Sequence, residues 1–268
     1  MGTDWVFLRG LIRESAHWDD FPARFAQVLP GARVHLVDLP GSGRHWRQPS
    51  PLNMAAITAA ARREALGLMA AGQGGQPFYL LTISLGSMVA VEWAQRHPAE
   101  LAGAVLINTS LRGLSPLTQR LCWRCWPLLA RIVASGGDVA RRERLIFELT
   151  SALPAPSPGF IDQRVAMQQN HPVYLANACR QLWAAACHRP CRVKPPIPLL
   201  LLNSLGDRMV DSACTQAIAL AWQLEVKTHP WAGHDLPLDD PAWVAAAVAE
   251  WMLERRLPAG SLPGTEKA

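Results

Sequence analysis

A serine at the junction of a strand and a helix is well placed to act as a nucleophile, and residue 84 has that setting. In Tyr79-Leu80-Leu81-Thr82-Ile83-Ser84-Leu85-Gly86-Ser87 an apolar strand pattern runs straight into Ser84, and a helical pattern starts directly after it. A tight turn of this kind lifts the serine Oγ above the sheet, and the helix N-terminus behind it favours developing negative charge. The pattern is Gly-x-Ser-x-Gly with Thr82 at the first glycine; a β-branched residue is an awkward fit beside a strained turn. Taken alone, Ser84 before Leu85-Gly86 is a weak signal that reads more readily as a helix cap. Two downstream segments change that balance. A serine nucleophile needs a base to take its proton, and the base needs an acid to fix its tautomer and stabilise its charged form. Leu199–Leu202 followed by Asn203-Ser204-Leu205-Gly206-Asp207 puts Asp207 in a loop past a buried strand, and Trp231-Ala232-Gly233-His234-Asp235 puts His234 in a loop after the last strand. Asp211 is the rival acid, and Asn108 leaves no carboxylate at the end of the fourth strand.

The elements that must position these residues follow from hydrophobic patterning. Short apolar runs at Trp5–Leu8, Val34–Asp38, Phe78–Ile83, Leu101–Asn108, Leu199–Asn203 and Leu224–Thr228 read as strands buried on both faces. They alternate with helical patterns at Asp19–Leu29, Met54–Ala71 (ended by Gly72-Gln73-Gly74-Gly75), Ser87–Gln95, Gln216–Trp222 and Pro241–Arg255, leaving a loose tail from Leu257. The expected class is α/β, a mostly parallel central sheet of about six strands flanked by helices. Residues 111–195 carry no strand pattern, only helical segments at Leu117–Ala134, Val139–Leu153, Gly159–Gln169 and Val173–His188. An α/β core formed by residues 1–110 and 196–268 is thus interrupted by an all-helical insertion, 111–195.

These motifs, in the order Ser, Asp, His and each past a strand end, resemble the α/β-hydrolase family over residues 5 to about 255. The resemblance implies Ser84 as nucleophile, His234 as general base and then acid, Asp207 as its orienting acid, and a helical lid at 111–195. Arg9-Gly10 stands where the family has His-Gly. The family's oxyanion hole then falls on the backbone N–H groups of Leu11 and Leu85. A serine argues against the haloalkane dehalogenase and epoxide hydrolase branches, which use an aspartate there. The implied activity is hydrolysis of a carboxylic ester or thioester. Leu117, Leu121, Trp126, Leu128, Leu129 and Ile132 in the insertion suggest an apolar acyl chain. The Thr82 and Arg9 departures motivate a second reading, a catalytically weak small-molecule binding protein on the same fold.

Composition bounds the alternatives. The chain has 268 residues, half hydrophobic and 18% charged, which supports a sizeable core and excludes global disorder. No signal peptide, myristoylation motif or membrane-length apolar run is visible, so a cytoplasmic protein is expected. The net charge of +5 invites a nucleic-acid reading, but only three of 26 basic residues are Lys and no basic run occurs, so nucleic acid is not an expected partner. The charge is localised: residues 111–195 hold twelve Lys+Arg against four acids, a net of +8, leaving −3 elsewhere. Such a segment reads either as a solvated arginine surface or as a cationic rim attracting an acidic acyl carrier or an anionic membrane surface. No cofactor is expected, since Gly41-Ser42-Gly43 lacks the rest of a dinucleotide fingerprint. No metal is expected either, because Cys122 and Cys125 read as packing thiols on an apolar helix. Asp38 reads as a turn residue, Trp18 as packing near the pocket, and Asp239 and Asp240 as caps of the helix from Pro241.

Overall fold

The computed structural model describes residues 2–70 and 76–255; the glycine cluster at 72–75 and the tail from Leu257 lie outside them. The chain runs through β1 (Thr3–Leu8), α1 (Phe21–Val28), β2 (Ala32–Val37), α2 (Met54–Ala70), β3 (Phe78–Ile83), α3 (Leu85–Arg96) and β4 (Leu101–Ile107). Five helices follow: α4 (Leu117–Arg120), α5 (Trp126–Ala134), α6 (Val139–Thr150), α7 (Phe160–Asn170) and α8 (Leu175–Cys187). The core resumes with β5 (Leu199–Ser204), α9 (Ala213–Trp222), β6 (Val226–His229), α10 (Leu236–Asp239) and α11 (Pro241–Glu254). The six strands form one sheet in the order β2-β1-β3-β4-β5-β6, and every pairing is parallel.

Alternation along the strands divides the core into two layers. Val6, Leu8, Leu80, Leu106 and Leu201 face α2, α3 and α9, while Trp5, Phe7, Leu81, Val105 and Leu202 face α1 and α11. Because all strands run the same way, their carboxyl ends lie along one edge. The chain order reverses between β1 and β3, and the crevice at such a switch point is where open α/β sheets hold ligands. Thr82 fits where crowding was expected. It sits fully buried within β3, its hydroxyl donating to the Val105 carbonyl at 2.8 Å and lying 3.0 Å from Ser87 Oγ, so it links the strand to the helix that follows.

The predicted helix Leu117–Ala134 is broken. α4 ends at Arg120, a short 3-10 turn spans Trp123–Cys125, and α5 restarts at Trp126. The physical reason is Pro127, which has no N–H for an interior helical bond but is tolerated in a first turn. The Cys122 amide instead donates to the Met209 carbonyl at 2.8 Å. Cys122 and Cys125 therefore do not share a helix face; Cys125 is buried, and burial pushes its thiol up to about 11. Among the described residues no three His, Cys, Asp or Glu side chains converge as metal ligands, and no helix is long and apolar enough to cross a membrane.

Ionic contacts join α6, α7 and the residue that follows α7 to the core. Arg13 after β1 pairs with Glu143 of α6 at 3.0 Å, Asp19 takes both terminal nitrogens of Arg164 of α7, and His171 lies 2.7 Å from Glu14. Asp239 corrects the capping expectation. Only Asp240 caps α11, accepting from the Trp243 amide at 2.9 Å. Asp239 instead accepts from Ser151 Oγ, the Ala152 amide and the Gly233 amide, so it binds the end of α6 to the loop before His234.

The tightest passage lies between β1 and α3. A Cβ on Gly86 would stand 2.6 Å from the Leu8 carbonyl oxygen and 2.7 Å from that of Arg9. Gly86→Ala should therefore destabilise the protein. Helix propensity favours alanine by about 1 kcal/mol, but overpacking against rigid backbone costs up to ~3 kcal/mol. A melting temperature lowered by several degrees in thermal unfolding is expected; an unchanged or raised value would show that β1 and α3 can separate at no cost.

Candidate active site

Ser84 occupies the turn between β3 and α3 with φ 57° and ψ −117°, a left-handed conformation that a non-glycine residue adopts only when its surroundings enforce it. Its amide donates to the Ile107 carbonyl at 2.9 Å, and its carbonyl accepts from Thr109 Oγ1, so the turn is held from β4. Gly10 packs against it: a Cβ there would lie 3.0 Å from Ser84 Cβ and 3.5 Å from Oγ. This close approach brings the loop after β1 to the serine. Leu11 lines the same cavity as Ser84, and Leu85 is the first residue of α3. Among the described residues, neither the Leu11 nor the Leu85 amide donates to another protein group.

Asp207 and His234 meet at the next strand ends. Asp207 Oδ2 lies 2.7 Å from His234 Nδ1, with both side chains buried. The other oxygen, Oδ1, accepts from the Met209 and Val210 amides at 2.8 and 2.9 Å, which fixes the carboxylate's orientation. That arrangement makes Nδ1–H the donor and leaves Nε2 as the basic nitrogen. Asp211, the rival acid, accepts from the Ala213 amide before α9. The loop carrying Asp207 passes close to the one carrying His234: a Cβ on Gly206 would lie 2.2 Å from the Trp231 carbonyl oxygen. His234 lines the cavity that Ser84 lines, while among the described residues no hydrogen bond links the two side chains. In unliganded sites such bonds are often long and tighten on substrate binding.

Two positioning residues, Asn108 and Arg9, have roles for which the sequence carried no clear signal. Asn108 stands past β4 with φ 46°, and its Nδ2 donates to the His234 carbonyl at 2.9 Å, the Gly233 carbonyl at 3.2 Å and Ser204 Oγ at 3.0 Å. Its Oδ1 accepts from the Ser204 amide, so one side chain ties β4, β5 and the histidine loop together. Arg9, in place of the resembled family's histidine, is buried and grips Asp235 with both terminal nitrogens, at 2.9 and 2.5 Å, under the Trp18 ring. Burial raises the Asp235 carboxyl, but the Arg9 charge and hydrogen bonds outweigh it and hold the group below its ordinary value. A charged pair thus locks the residue after His234 to the loop before Leu11. Asp38 acts as a turn residue, accepting from the Ser15 amide and hydroxyl and the Arg44 amide.

Two cavities converge on Ser84. The first, about 90 Å³, is walled by Arg9, Leu129, Ile132, Ile146, Leu149 and His234. The second, about 210 Å³, is walled by Leu85, Met88, Leu117, Leu121, Trp126 and Leu182 among others. Leu11, Ser84 and Met209 belong to both. Of the six apolar insertion residues that suggested an acyl chain, five line these two cavities and Leu128 lines a separate cleft.

Comparison with known proteins bears on the fold and the family. A family model described as the alpha/beta hydrolase family matches residues 5–247. No curated protein matches the sequence. Among solved structures, a membrane phospholipase A described as a bacterial virulence factor superposes with a TM-score of 0.74 at 18% identity, covering 96% of this chain and 80% of its own. The 2-hydroxy-6-oxo-6-phenylhexa-2,4-dienoate hydrolase of Rhodococcus sp. strain RHA1 gives 0.73 at 17% identity, covering 96% and 91%. An esterase from Rhodococcus sp. ECU1013 gives 0.67 at 21% identity, covering 94% and 90%. At these identities the superpositions speak for the fold alone, whereas the family match spans nearly the whole described chain: the protein belongs to the alpha/beta hydrolase family.

Proposed function

We propose that this alpha/beta hydrolase is a serine esterase or thioesterase acting through an acyl-enzyme on Ser84. The observation that carries the reading is the buried Asp207–His234 pair at 2.7 Å, beside a cavity shared with a serine in a strained turn. Ser84 Oγ attacks the acyl carbonyl carbon while His234 Nε2 takes its proton, and Asp207 stabilises the imidazolium. The Leu11 and Leu85 amides receive the oxyanion. His234 then gives its proton to the leaving oxygen or sulfur as the bond to the acyl carbon breaks. A water, deprotonated by His234, attacks the acyl-enzyme, and the acid leaves as Ser84 recovers its proton.

Proton delivery assigns the two cavities. The leaving group must lie where His234 can reach it, which is the first cavity, so the acyl portion takes the second. The helices of 111–195 act as the lid, since Leu129, Ile132, Ile146 and Leu149 line the first cavity and Leu117, Leu121, Trp126 and Leu182 the second. The binding-protein alternative loses its motivation, because Thr82 and Arg9 each have hydrogen-bonded places in the fold.

Fluorophosphonate labelling with turnover of aryl esters of graded chain length tests the reading. The wild type should be labelled, and Ser84→Ala should lose the label and at least about a thousandfold in kcat. Label retained by Ser84→Ala would remove Ser84 from the mechanism. Asn108→Ala leaves two carbonyls of the histidine loop without their donor, a cost of about 1–3 kcal/mol. It should lower kcat roughly tenfold while KM changes little, in steady-state kinetics on the same esters; an effect on KM alone would show that Asn108 does not position His234.

A further inference from the structure

Three arginines are buried among the described residues: Arg9, Arg164 and Arg120. Two of them hold a carboxylate with both terminal nitrogens, Arg9 on Asp235 and Arg164 on Asp19. Arg120, at the end of α4 and 8% exposed, pairs with no carboxylate. Its protein acceptor is the Ala185 carbonyl, 2.7 Å from Nη2, and its Nε is buried without a partner. Burial pulls its pKa down; Cys214 opposes that shift and the nearby charge of Arg112 reinforces it. A guanidinium removed from water with no counter-charge is costly, which is why buried charges are normally paired. The Ala185 carbonyl belongs to the last turn of α8, and Arg112 donates to the Ala186 and Cys187 carbonyls there. A helix C-terminus carries about half a negative charge, too little to balance two guanidinium groups.

The location gives this imbalance its meaning. Arg120 lines the larger cavity at Ser84, whose wall is otherwise largely apolar. Ser110 lines the same cavity, and its Oγ is also buried without a partner. Two hydrogen-bonding side chains therefore line the space assigned to the acyl chain, and each keeps one polar atom, Arg120 Nε and Ser110 Oγ, that no protein group satisfies. An apolar cavity of about 150 Å³ holds a benzene molecule, so about 210 Å³ accommodates a short chain with a small terminal group.

We propose that Arg120 and Ser110 form an anion-recognising subsite, so that the preferred substrate is an ester or thioester whose acyl chain ends in a carboxylate. This rests on the serine-hydrolase reading of Ser84. Among the described residues Arg120 is the one guanidinium lining this cavity, so a singly charged carboxylate matches it better than a doubly charged phosphate. The net +8 of residues 111–195 acts in the same sense, drawing anionic molecules toward the opening.

The test compares mono-p-nitrophenyl adipate with p-nitrophenyl hexanoate, which share an acyl length and differ in the terminal carboxylate. The wild type should have the higher kcat/KM on the adipate ester. Arg120→Gln should lower the adipate-to-hexanoate ratio by about tenfold or more, mainly through KM. Arg120→Lys should recover part of it, and Ser110→Ala should lower it a few-fold. Arg131→Gln, an exposed change on α5, should leave the ratio unaltered, which separates the subsite from long-range attraction. Equal loss on both esters in Arg120→Gln, or no change in the ratio, would overturn the proposal. Calorimetric titration of folded Ser84→Ala with adipate gives a readout that needs neither turnover nor an Arg120 variant: binding supports the subsite, and no binding overturns it. Absence of turnover and of fluorophosphonate labelling in the wild type would instead sink the serine-hydrolase reading, with the adipate titration still deciding whether the cavity takes an anion.

Discussion

Everything at this site depends on one close backbone approach, the packing of the β1 loop against the turn that carries Ser84. Gly86 lies so near the Leu8 and Arg9 carbonyls, and Gly10 so near Ser84, that a side-chain carbon at either place would collide with or crowd its neighbour. Two things follow from that proximity. The serine is confined to a conformation it would not otherwise adopt, and Leu11 is brought to the same cavity as Ser84. Neither result could come from the turn in isolation, because a lone strand-to-helix turn would relax its left-handed residue. The parallel sheet supplies the restraint by placing β1 and β3 side by side with their carboxyl ends level.

Polar groups near the site divide into those answered within the protein and those that are not. Arg9 and Asp235 neutralise each other in a setting where either alone would be costly. Asp207 uses both oxygens, one on His234 and one on two backbone amides, so it cannot rotate without losing bonds. Asn108 and Asp239 clamp the loop before and after Gly233 from opposite sides, one from β4 and the other together with the end of α6. Rigid placement of His234 is thus a property of four segments acting together. Arg120 and Ser110 stand apart from this pattern because each keeps a buried polar atom without a partner while the residue itself lines a cavity.

The strands were legible to within a residue or two because fully buried parallel strands give continuous apolar runs ended by turn residues. The Phe78–Ile83 strand has the expected limits, and Leu101–Ile107 differs by one residue at its end. The break between α4 and α5 was written in Pro127 but masked by strong apolar periodicity across Leu117–Ala134. The short α10 escaped notice because four residues are too few to show a period. Asp239 was misread because an acid just before Asp240-Pro241 looks like a local cap, whereas its partners include Ser151, 88 residues away.

The sequence by itself determined the order of elements, the helical insertion with its positive charge, and the three residue types standing past strand ends. Those features are local, set by hydrophobic period and turn chemistry within a few residues. Tertiary structure alone decided the partners: that Arg9 meets Asp235 across 226 positions, that Asn108 holds the histidine loop, and that Arg120 is left without a carboxylate. Pairing between distant groups depends on which loop ends the folded sheet brings together. A side chain's local pattern shows whether it is buried; only the assembled neighbours show whether its charge is answered.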